Sequence, residues 1–283
     1  MNRVCFDDLK GKNCVITGGA GILGSEMAKA LASAGVNLAI IDLNHEAANK
    51  LAQEIADVYK IKGIGVSANV LSKASLETAR EQISQYLGNV DFLINGAGGN
   101  SPKATTKAEQ IDPSMGIIWE NTFFGLEEEG FQHVFDLNFM GTLLPTMVFG
   151  RQMVERGSGV IINISSMNAL KPLTKIPAYS AAKSAVNNFT EWLAVHFGKT
   201  GVRVNAIAPG FFLTNQNRFL LTNEQTGALT ERGKKIINST PMGKFGNPDD
   251  LNGTLLYLLS DLSAFVTGVV IPVDGGFNAF GKV

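Results

Sequence analysis

The sequence predicts an α/β fold in which a parallel sheet of about seven strands is covered by helices on both faces. Seven short runs, rich in β-branched and other aliphatic residues and bounded by turn residues, recur along the 283 residues. Near-continuous apolar strands of this kind are typical of parallel sheets that are buried on both faces. The runs span Asn13–Thr17, 36–42, 63–68, 91–95, 160–164, 202–208 and 269–273.

Helical patterns alternate with the early strands, as at 25–34 and His45–Tyr59. This alternation indicates βαβ units, whose right-handed crossovers build a doubly wound sheet. The sequence contains no internal repeat, low-complexity segment or linker, so we assign residues 1–283 to a single domain. Two connections, near 100–129 and 215–249, are longer than this fold requires. We expect both to be active-site insertions or lids, with disorder as the alternative.

The composition argues against several functional classes. A net charge of −1 provides no basic surface for nucleic acid or for an anionic membrane. Of the two cysteines, Cys14 falls inside the first predicted strand, which argues against a disulfide framework and favours a reducing compartment. No apolar run is long enough to span a membrane, and the first residues lack the apolar segment of a signal peptide. We therefore expect a soluble, cytoplasmic protein without nucleic-acid or membrane partners.

A glycine-rich turn, Thr17-Gly-Gly-Ala-Gly-Ile-Leu-Gly24, joins the first strand to a predicted helix. Glycines let such a turn be tight, so that backbone N–H groups and the helix N-terminus can approach a pyrophosphate. The second strand ends at Asp42, where a carboxylate can accept hydrogen bonds from both ribose hydroxyls. No Arg or Lys flanks Asp42, so a 2′-phosphate would face an unpaired carboxylate, and NAD is favoured over NADP. The alternative is that Asp42 is an ordinary turn residue.

The third and fourth strands also end in residues that can border a ligand. Asn69 and Val70 follow the third strand, and Asn95-Gly-Ala-Gly98 ends the fourth. Because the carboxyl ends of parallel strands meet at one edge of a sheet, we expect these residues to lie along the cofactor crevice.

The chemistry is indicated by Tyr179-Ser-Ala-Ala-Lys183, which follows Ser166 at the end of the fifth strand. In a helix, Tyr179 and Lys183 share one face, so the ammonium can lie beneath the phenol. A charge about 4 Å away favours phenolate by roughly 4 kcal/mol at most, which would lower the pKa of Tyr179 toward neutrality. These groups could bind a carbonyl oxygen and protonate it while hydride reaches the carbon. A surface Tyr and a solvated Lys are the alternative.

Taken in order, these motifs resemble those of the short-chain dehydrogenase/reductase family over essentially the whole chain. The resemblance implies a Rossmann fold in which Ser166, Tyr179 and Lys183 are catalytic. It also implies that Asn138, in Asp136-Leu-Asn-Phe-Met-Gly141, is the fourth catalytic residue and holds a water that links the lysine to solvent. Pro209-Gly-Phe-Phe-Leu-Thr214 matches the segment that binds the nicotinamide carboxamide, through the backbone of Phe212 and the hydroxyl of Thr214.

Two positions depart from the family pattern. Ile22 occupies the place of the middle glycine of the turn, and Gly96 replaces the second Asn of the usual Asn-Asn-Ala-Gly. Asn69 stands where many members carry an Asp near the adenine. The complete set of predicted cofactor-binding residues is Gly18, Gly19, Gly21, Ile22, Leu23, Asp42, Asn69, Val70, Asn95, Ala97, Gly98, Tyr179, Lys183, Pro209, Gly210, Phe212 and Thr214.

Four further segments carry a narrower resemblance: Ala97–Asn100, Pro209–Arg218, Thr240–Gly246 and Phe265–Gly276. In these, the chain is most similar to the branch of the family that is named for D-mannonate oxidoreductase or fructuronate reductase. The resemblance implies an NAD-dependent oxidoreductase, a sugar-acid substrate and a homo-tetramer. Polar residues that could converge on such a substrate are Asn100, Asn168, Lys175, Asn215, Gln216 and Arg218. Asn and Gln supply paired donors and acceptors for hydroxyls, whereas a carboxylate needs a cation. The sequence leaves open whether Lys175 or Arg218 supplies that cation.

Other functions remain as alternatives at this point. Another polyol or sugar dehydrogenase, or a 3-oxoacyl thioester reductase, would use the same catalytic residues. A non-catalytic dinucleotide-binding sensor could share the fold, but it would not need Asn138, Ser166, Tyr179 and Lys183 together. His45, His133 and His196 show no metal-ligand spacing, so we expect no metal site.

Overall fold

The computed structural model describes residues 5–213, 221–223 and 225–281. Its centre is one parallel sheet of seven strands, in the spatial order β3-β2-β1-β4-β5-β6-β7. The chain order reverses between β1 and β4, which places a crevice outside the carboxyl ends of these two strands. The strands are β1 (Asn13–Thr17), β2 (Asn37–Asp42), β3 (Gly63–Ser67), β4 (Phe92–Asn95), β5 (Gly159–Ile164), β6 (Val202–Pro209) and β7 (Val270–Val273).

Helices cover both faces of the sheet, as the alternation of strands and helices predicts. The α-helices of the described residues are α1 (Ile22–Ser33), α2 (His45–Tyr59), α3 (Lys73–Leu87), α4 (Glu128–Phe135), α5 (Gly141–Arg156), α6 (Pro177–His196), α7 (Glu231–Ile237) and α8 (Asn252–Leu259). One core contains Ile16 and joins α1, α2 and α8 to the sheet. The other core contains Val15 and joins α3, α5 and α6. Adjacent strand residues thus face opposite layers, and the predicted fold class is confirmed.

Element boundaries differ from the predicted ones where a cap decides them. Helix α1 begins at Ile22, before the predicted 25–34, because Gly21 takes an extended conformation and acts as the N-cap. Helix α2 begins where predicted, because the side chain of Asn44 accepts a hydrogen bond from the N–H of Ala47 at 3.0 Å. Between α4 and α5 the chain makes a π-helical turn, Asp136–Met140, which the sequence did not predict.

The two long connections both lie after carboxyl ends of strands. The first, between β4 and α4, contains four short 3-10 turns. The second follows β6 and contains α7, while residues 214–220 and 224 fall outside the described part of the chain. Of the helices that are described, none is both long enough and apolar enough to cross a bilayer.

Candidate active site

Strand β5 and helix α6 bring Ser166, Tyr179 and Lys183 together. Ser166 follows β5 and is buried, and its Oγ accepts a hydrogen bond from the N–H of Asn168 at 3.2 Å. Tyr179 lies near the start of α6, close enough to Ser166 for the serine hydroxyl to lower its pKa. The Nζ of Lys183, one helical turn further on, lies 5.8 Å from the centre of the Tyr179 ring. The arrangement is therefore the one that the spacing of Tyr179 and Lys183 predicts.

Burial determines the protonation of both groups. It raises the pKa of Tyr179 above its usual value, and the nearby Ser166 hydroxyl offsets only part of this rise. The expectation that Lys183 brings the pKa of Tyr179 toward neutrality is therefore wrong for the protein without a bound dinucleotide. Burial also lowers the pKa of Lys183 to about 8. The Lys183 ammonium donates to the backbone oxygen of Ile164 at 2.7 Å, a neutral partner that compensates poorly for lost water.

Asn138 lies fully buried in the π-helical turn, beside the end of β4. Its Nδ2 donates to the backbone oxygens of Gly99 and Val134, both at 2.7 Å, and its Oδ1 accepts from the N–H of Gly99 at 3.3 Å. A Cβ on Gly98 would lie 2.7 Å from Asn138 Oδ1 and 3.2 Å from Lys183 Nζ. Gly98 therefore separates two of the predicted catalytic residues, and a larger side chain would push them apart.

The glycine-rich turn is packed backbone against backbone. Gly18 has a φ of 63°, and a Cβ there would lie 2.8 Å from the Cα of Ala97. A Cβ on Gly24 would lie 2.5 Å from the backbone oxygen of Gly18. Gly21 offers no side chain to cap α1, so the first N–H groups of the helix stay open to an anion. Ile22 is the first residue of the helix rather than part of the tight turn, so its branched side chain is accommodated.

Asp42 ends β2 directly beside this turn. Its Oδ2 accepts a hydrogen bond from the N–H of Ala20 at 3.3 Å, and its Oδ1 accepts from the N–H of Asn44 at 3.1 Å. Gly19 is held in the same place, because its N–H donates to the oxygen of Ile41 at 3.2 Å. Leu23 is partly buried against the core. An uncapped helix start beside a fixed carboxylate fits a pyrophosphate and a ribose, so these residues suit a dinucleotide.

The remaining predicted cofactor residues occupy several environments. The Oδ1 of Asn69 accepts from the N–H of Leu71 at 2.9 Å, and Val70 packs against Gly141. Pro209 ends β6, and a Cβ on Gly210 would lie 2.6 Å from the Cα of Asp274. Phe212 is buried and pairs with Gly246. Thr214 lies outside the described residues, so its predicted contact stays a prediction.

The side chain of Asn95 turns toward the helices rather than the crevice. Its Nδ2 donates to Thr146 Oγ1 on α5 at 2.9 Å and to Asn163 Oδ1 on β5 at 2.8 Å. Asn163 in turn donates to Thr190 Oγ1 on α6 at 2.8 Å. Any contact of Asn95 with a cofactor is thus left to its backbone, and that role stays a prediction.

Of the predicted substrate residues, some line a common cleft and others do not. Asn100 and Lys175 line a cleft of about 770 Å³ together with Ile176 and Phe211. Asn168 is buried and does not line this cleft. The Nδ2 of Asn100 donates to Thr105 Oγ1 at 3.0 Å. Asn215, Gln216 and Arg218 lie outside the described residues, so their roles stay predictions.

Four charged residues of the cleft, Glu109, Glu231, Arg232 and Lys235, were not among the predicted site residues. Glu109 comes from the first long connection, and the other three come from α7 in the second. The unusual length of both connections was the available signal, because it predicted insertions near the active site. The sequence did not indicate which charges of those segments face the cleft.

Comparison with known proteins decides the family. The sequence profile described as enoyl-(acyl carrier protein) reductase matches residues 19–278. The chain belongs to the short-chain dehydrogenase/reductase family. An oxidoreductase of uncharacterised activity from Haemophilus influenzae is 50% identical to this short-chain dehydrogenase/reductase over 292 residues, covering 100% of the chain and 99% of the relative. The resemblance of the motifs to this family is thereby confirmed, and the protein is an oxidoreductase.

Two solved structures of the family are instructive. A Haemophilus structure with bound NAD, provisionally named a D-mannonate oxidoreductase, matches with a TM-score of 0.89 and 50% identity, covering 97% of this chain and 98% of that one. A gluconate 5-dehydrogenase from Burkholderia cenocepacia, in complex with NADP and tartrate, matches with a TM-score of 0.81 and 27% identity, covering 97% and 99%. The family members that are similar to this chain therefore include proteins with either cofactor.

Proposed function

We propose that this short-chain dehydrogenase/reductase interconverts a secondary alcohol and a ketone on a sugar acid of the mannonate and fructuronate type, with NAD. One observation carries the proposal: Tyr179, with Ser166 beside it and Lys183 Nζ 5.8 Å from its ring centre, lies at the start of α6, just after the cleft residues Lys175 and Ile176. When bound, the nicotinamide supplies or accepts the hydride.

The residues of the chain then bind the substrate oxygen and transfer the proton. Ser166 and Tyr179 hold the substrate oxygen by hydrogen bonds. In the reduction direction the hydroxyl of Tyr179 gives its proton to that oxygen, and in oxidation the phenolate takes it back. The Lys183 ammonium lies one helical turn beyond Tyr179, and its hydrogen bond to the backbone oxygen of Ile164 keeps it in place. Asn138 holds the backbone of Gly99, and Lys183 Nζ lies beside the preceding residue, Gly98.

The choice of NAD rests on Asp42. Its carboxylate is held by two backbone N–H groups at the end of β2, so it is fixed in place. Asp42 takes part in no ion pair with any residue of the described part of the chain. A 2′-phosphate near this carboxylate would be repelled, whereas ribose hydroxyls can donate to it. The bound NAD of the Haemophilus relative supports the same choice.

The sugar-acid assignment rests on the cleft and on the relatives. Beside apolar side chains such as Leu173 and Ile176, the cleft offers amide, hydroxyl and cationic groups, which suit hydroxyls and a carboxylate. The names of the Haemophilus and Burkholderia proteins both refer to sugar acids. We also propose a homo-tetramer in the cytoplasm, which sedimentation of the purified enzyme and fractionation of the source cells would test.

The decisive experiment compares matched substrates with the purified enzyme. D-mannonate and D-mannitol differ only in a carboxylate against a hydroxymethyl group, and oxidation of each is followed by NADH absorbance. We expect kcat/KM to be at least about tenfold higher for the acid, because one hydrogen bond to a charged group contributes about that factor to binding. Equal or better oxidation of mannitol would identify a polyol dehydrogenase, and reduction of a 3-oxoacyl thioester alone would identify a thioester reductase. Binding of NADH without turnover of any of these would favour a sensor.

A further inference from the structure

The cleft beside the active site contains more cations than carboxylates. Its lining includes the cations Lys175, Arg232 and Lys235 and the carboxylates Glu109 and Glu231. Lys175 belongs to the segment that leads into α6, whereas Arg232 and Lys235 belong to α7. The two elements thus line one cleft with charged groups, and the cleft has one positive charge in excess. Such an excess favours an anionic ligand.

Both lysines of the cleft are already engaged by one carboxylate. The two carboxylate oxygens of Glu109 each lie 3.1 Å from Lys235 Nζ, and Glu109 Oε1 also lies 3.9 Å from Lys175 Nζ. Consistent with these contacts, the pKa of Glu109 is lowered, first by the hydrogen bond from Lys235. An incoming carboxylate would have to compete with Glu109 for either lysine.

Arg232 differs from the two lysines because it has no such partner. The neighbouring carboxylate, Glu231, binds Lys234 at 2.8 Å, and Lys234 does not line the cleft. Within residues 5–213, 221–223 and 225–281, no ion pair and no side-chain hydrogen bond involves Arg232. Its side chain is exposed. A guanidinium stays charged at any physiological pH and offers parallel N–H groups that match a carboxylate.

We infer that Arg232 binds the carboxylate of the substrate and thereby sets the preference for acids over neutral sugars. The inference rests on the proposed sugar-acid function and names the residue behind its specificity. Lys175, one of the two cations that the sequence suggested, is instead part of the Glu109 cluster. Arg232 acts in binding only, because the proton steps belong to Tyr179 and its neighbours.

The test measures Arg232→Gln and Arg232→Lys with D-mannonate and with D-mannitol, each with NAD. We expect Arg232→Gln to raise KM for D-mannonate about 10- to 100-fold, as for loss of a charged hydrogen bond, with kcat nearly unchanged. KM for mannitol should change by less than about twofold. Arg232→Lys keeps the charge but loses the paired N–H geometry. Its KM for D-mannonate should therefore lie between those of the wild type and of Arg232→Gln.

Lys199→Gln is the matched control. It removes one positive charge from an exposed residue outside the cleft lining, so it should leave KM for the acid within about twofold. An equal rise of KM for acid and mannitol in Arg232→Gln would overturn the inference, and so would an equal effect of Lys199→Gln. A loss confined to Lys175→Gln or to Arg218→Gln would overturn it as well and would place the carboxylate on that residue.

A binding measurement separates this inference from the proposed function. If the wild-type enzyme oxidises no sugar acid, the proposed function fails, and calorimetric titration of the enzyme–NADH complex with D-gluconate and with D-mannitol still tests Arg232. We expect gluconate to bind more tightly than mannitol, and this difference to disappear in Arg232→Gln. Equal binding of gluconate to wild type and variant, with unchanged melting temperature, would overturn the role of Arg232 whatever the substrate is.

Discussion

The nucleotide end and the substrate cleft are built in opposite ways. At the nucleotide end backbone touches backbone, as between Gly24 and Gly18, and one added methyl group would not fit. In the cleft, exposed side chains such as Glu109 and Lys235 bind mainly each other. Exposed ion pairs contribute little stability individually, so cleft charges can be exchanged without loss of the fold. The packing of the first region thus leaves little room for substitution, whereas the charges of the second can change.

The largest effect is expected from Tyr179→Phe, which tests the proposed proton donor between these two regions. Tyr179→Phe removes the proton donor but keeps the ring that packs beside Ala104 and Val134. We expect kcat to fall by about 10²–10⁴, the usual contribution of a general acid, while NADH binding changes only a few-fold. Steady-state kinetics and NADH fluorescence titration measure the two quantities. If the variant keeps more than about a tenth of the wild-type rate, Tyr179 is not the acid.

Lys183 offers a test in which activity and stability change in opposite directions. Its pKa in the folded protein is about 8, below the usual 10.5. The unfolded chain therefore binds more protons between these pH values, so this group makes the wild type more stable as pH rises from about 8 to about 10.5. Below that window its burial costs up to about 3 kcal/mol, at about 1.4 kcal/mol per pKa unit.

Lys183→Met should consequently be inactive, yet more stable than wild type at pH 7. Urea unfolding at pH 7 and at pH 10 measures both free energies of unfolding. We expect the gain of the variant over wild type to shrink as pH rises through the window. A variant that is less stable than wild type at pH 7 would show that Lys183 contributes favourably to the fold.

Asp42→Ala tests which residue determines the preference for NAD over NADP. We expect the wild type to prefer NAD, and the variant to lose about tenfold or more of that preference, because repulsion of a 2′-phosphate and hydrogen bonds to the ribose both disappear. Measuring kcat/KM with NAD and NADP for both proteins gives the ratio. A wild-type preference for NADP would exclude the proposed role of Asp42.

The smallest effect is expected in the cleft, from Glu109→Gln. This change frees Lys175 and Lys235 from their shared carboxylate, so KM for D-mannonate should fall by about two- to threefold at low salt. The decrease should vanish at about 1 M salt, where exposed charges are screened. Gln110→Glu, which adds a carboxylate beside Glu109, is a useful contrast and should not lower KM. An unchanged KM in Glu109→Gln at low salt would mean that Glu109 does not compete with the substrate.

The fold and the position of the glycine-rich turn between β1 and α1 could be predicted from the sequence, because their requirements are local. Apolar strand runs, the glycines after β1 and the carboxylate of Asp42 each follow from spacing along the chain. The lowered pKa of Tyr179 was predicted wrongly, because spacing shows that Lys183 is near but does not show how deeply both groups are buried. Arg232 was missed because only the folded chain brings α7 beside the segment that precedes α6.

The amide pair between β4 and β5 has a consequence for how the sheet assembles. Asn95 is directly opposite Asn163, and the strand residues before them are all apolar. A slip of two residues would keep every side chain on its own face and would still bury aliphatic groups. It would, however, separate the two amides and leave each buried without its partner, at a cost of roughly 1–3 kcal/mol per group. The pair thus selects one alignment of the two central strands, which an apolar pair at these positions could not do.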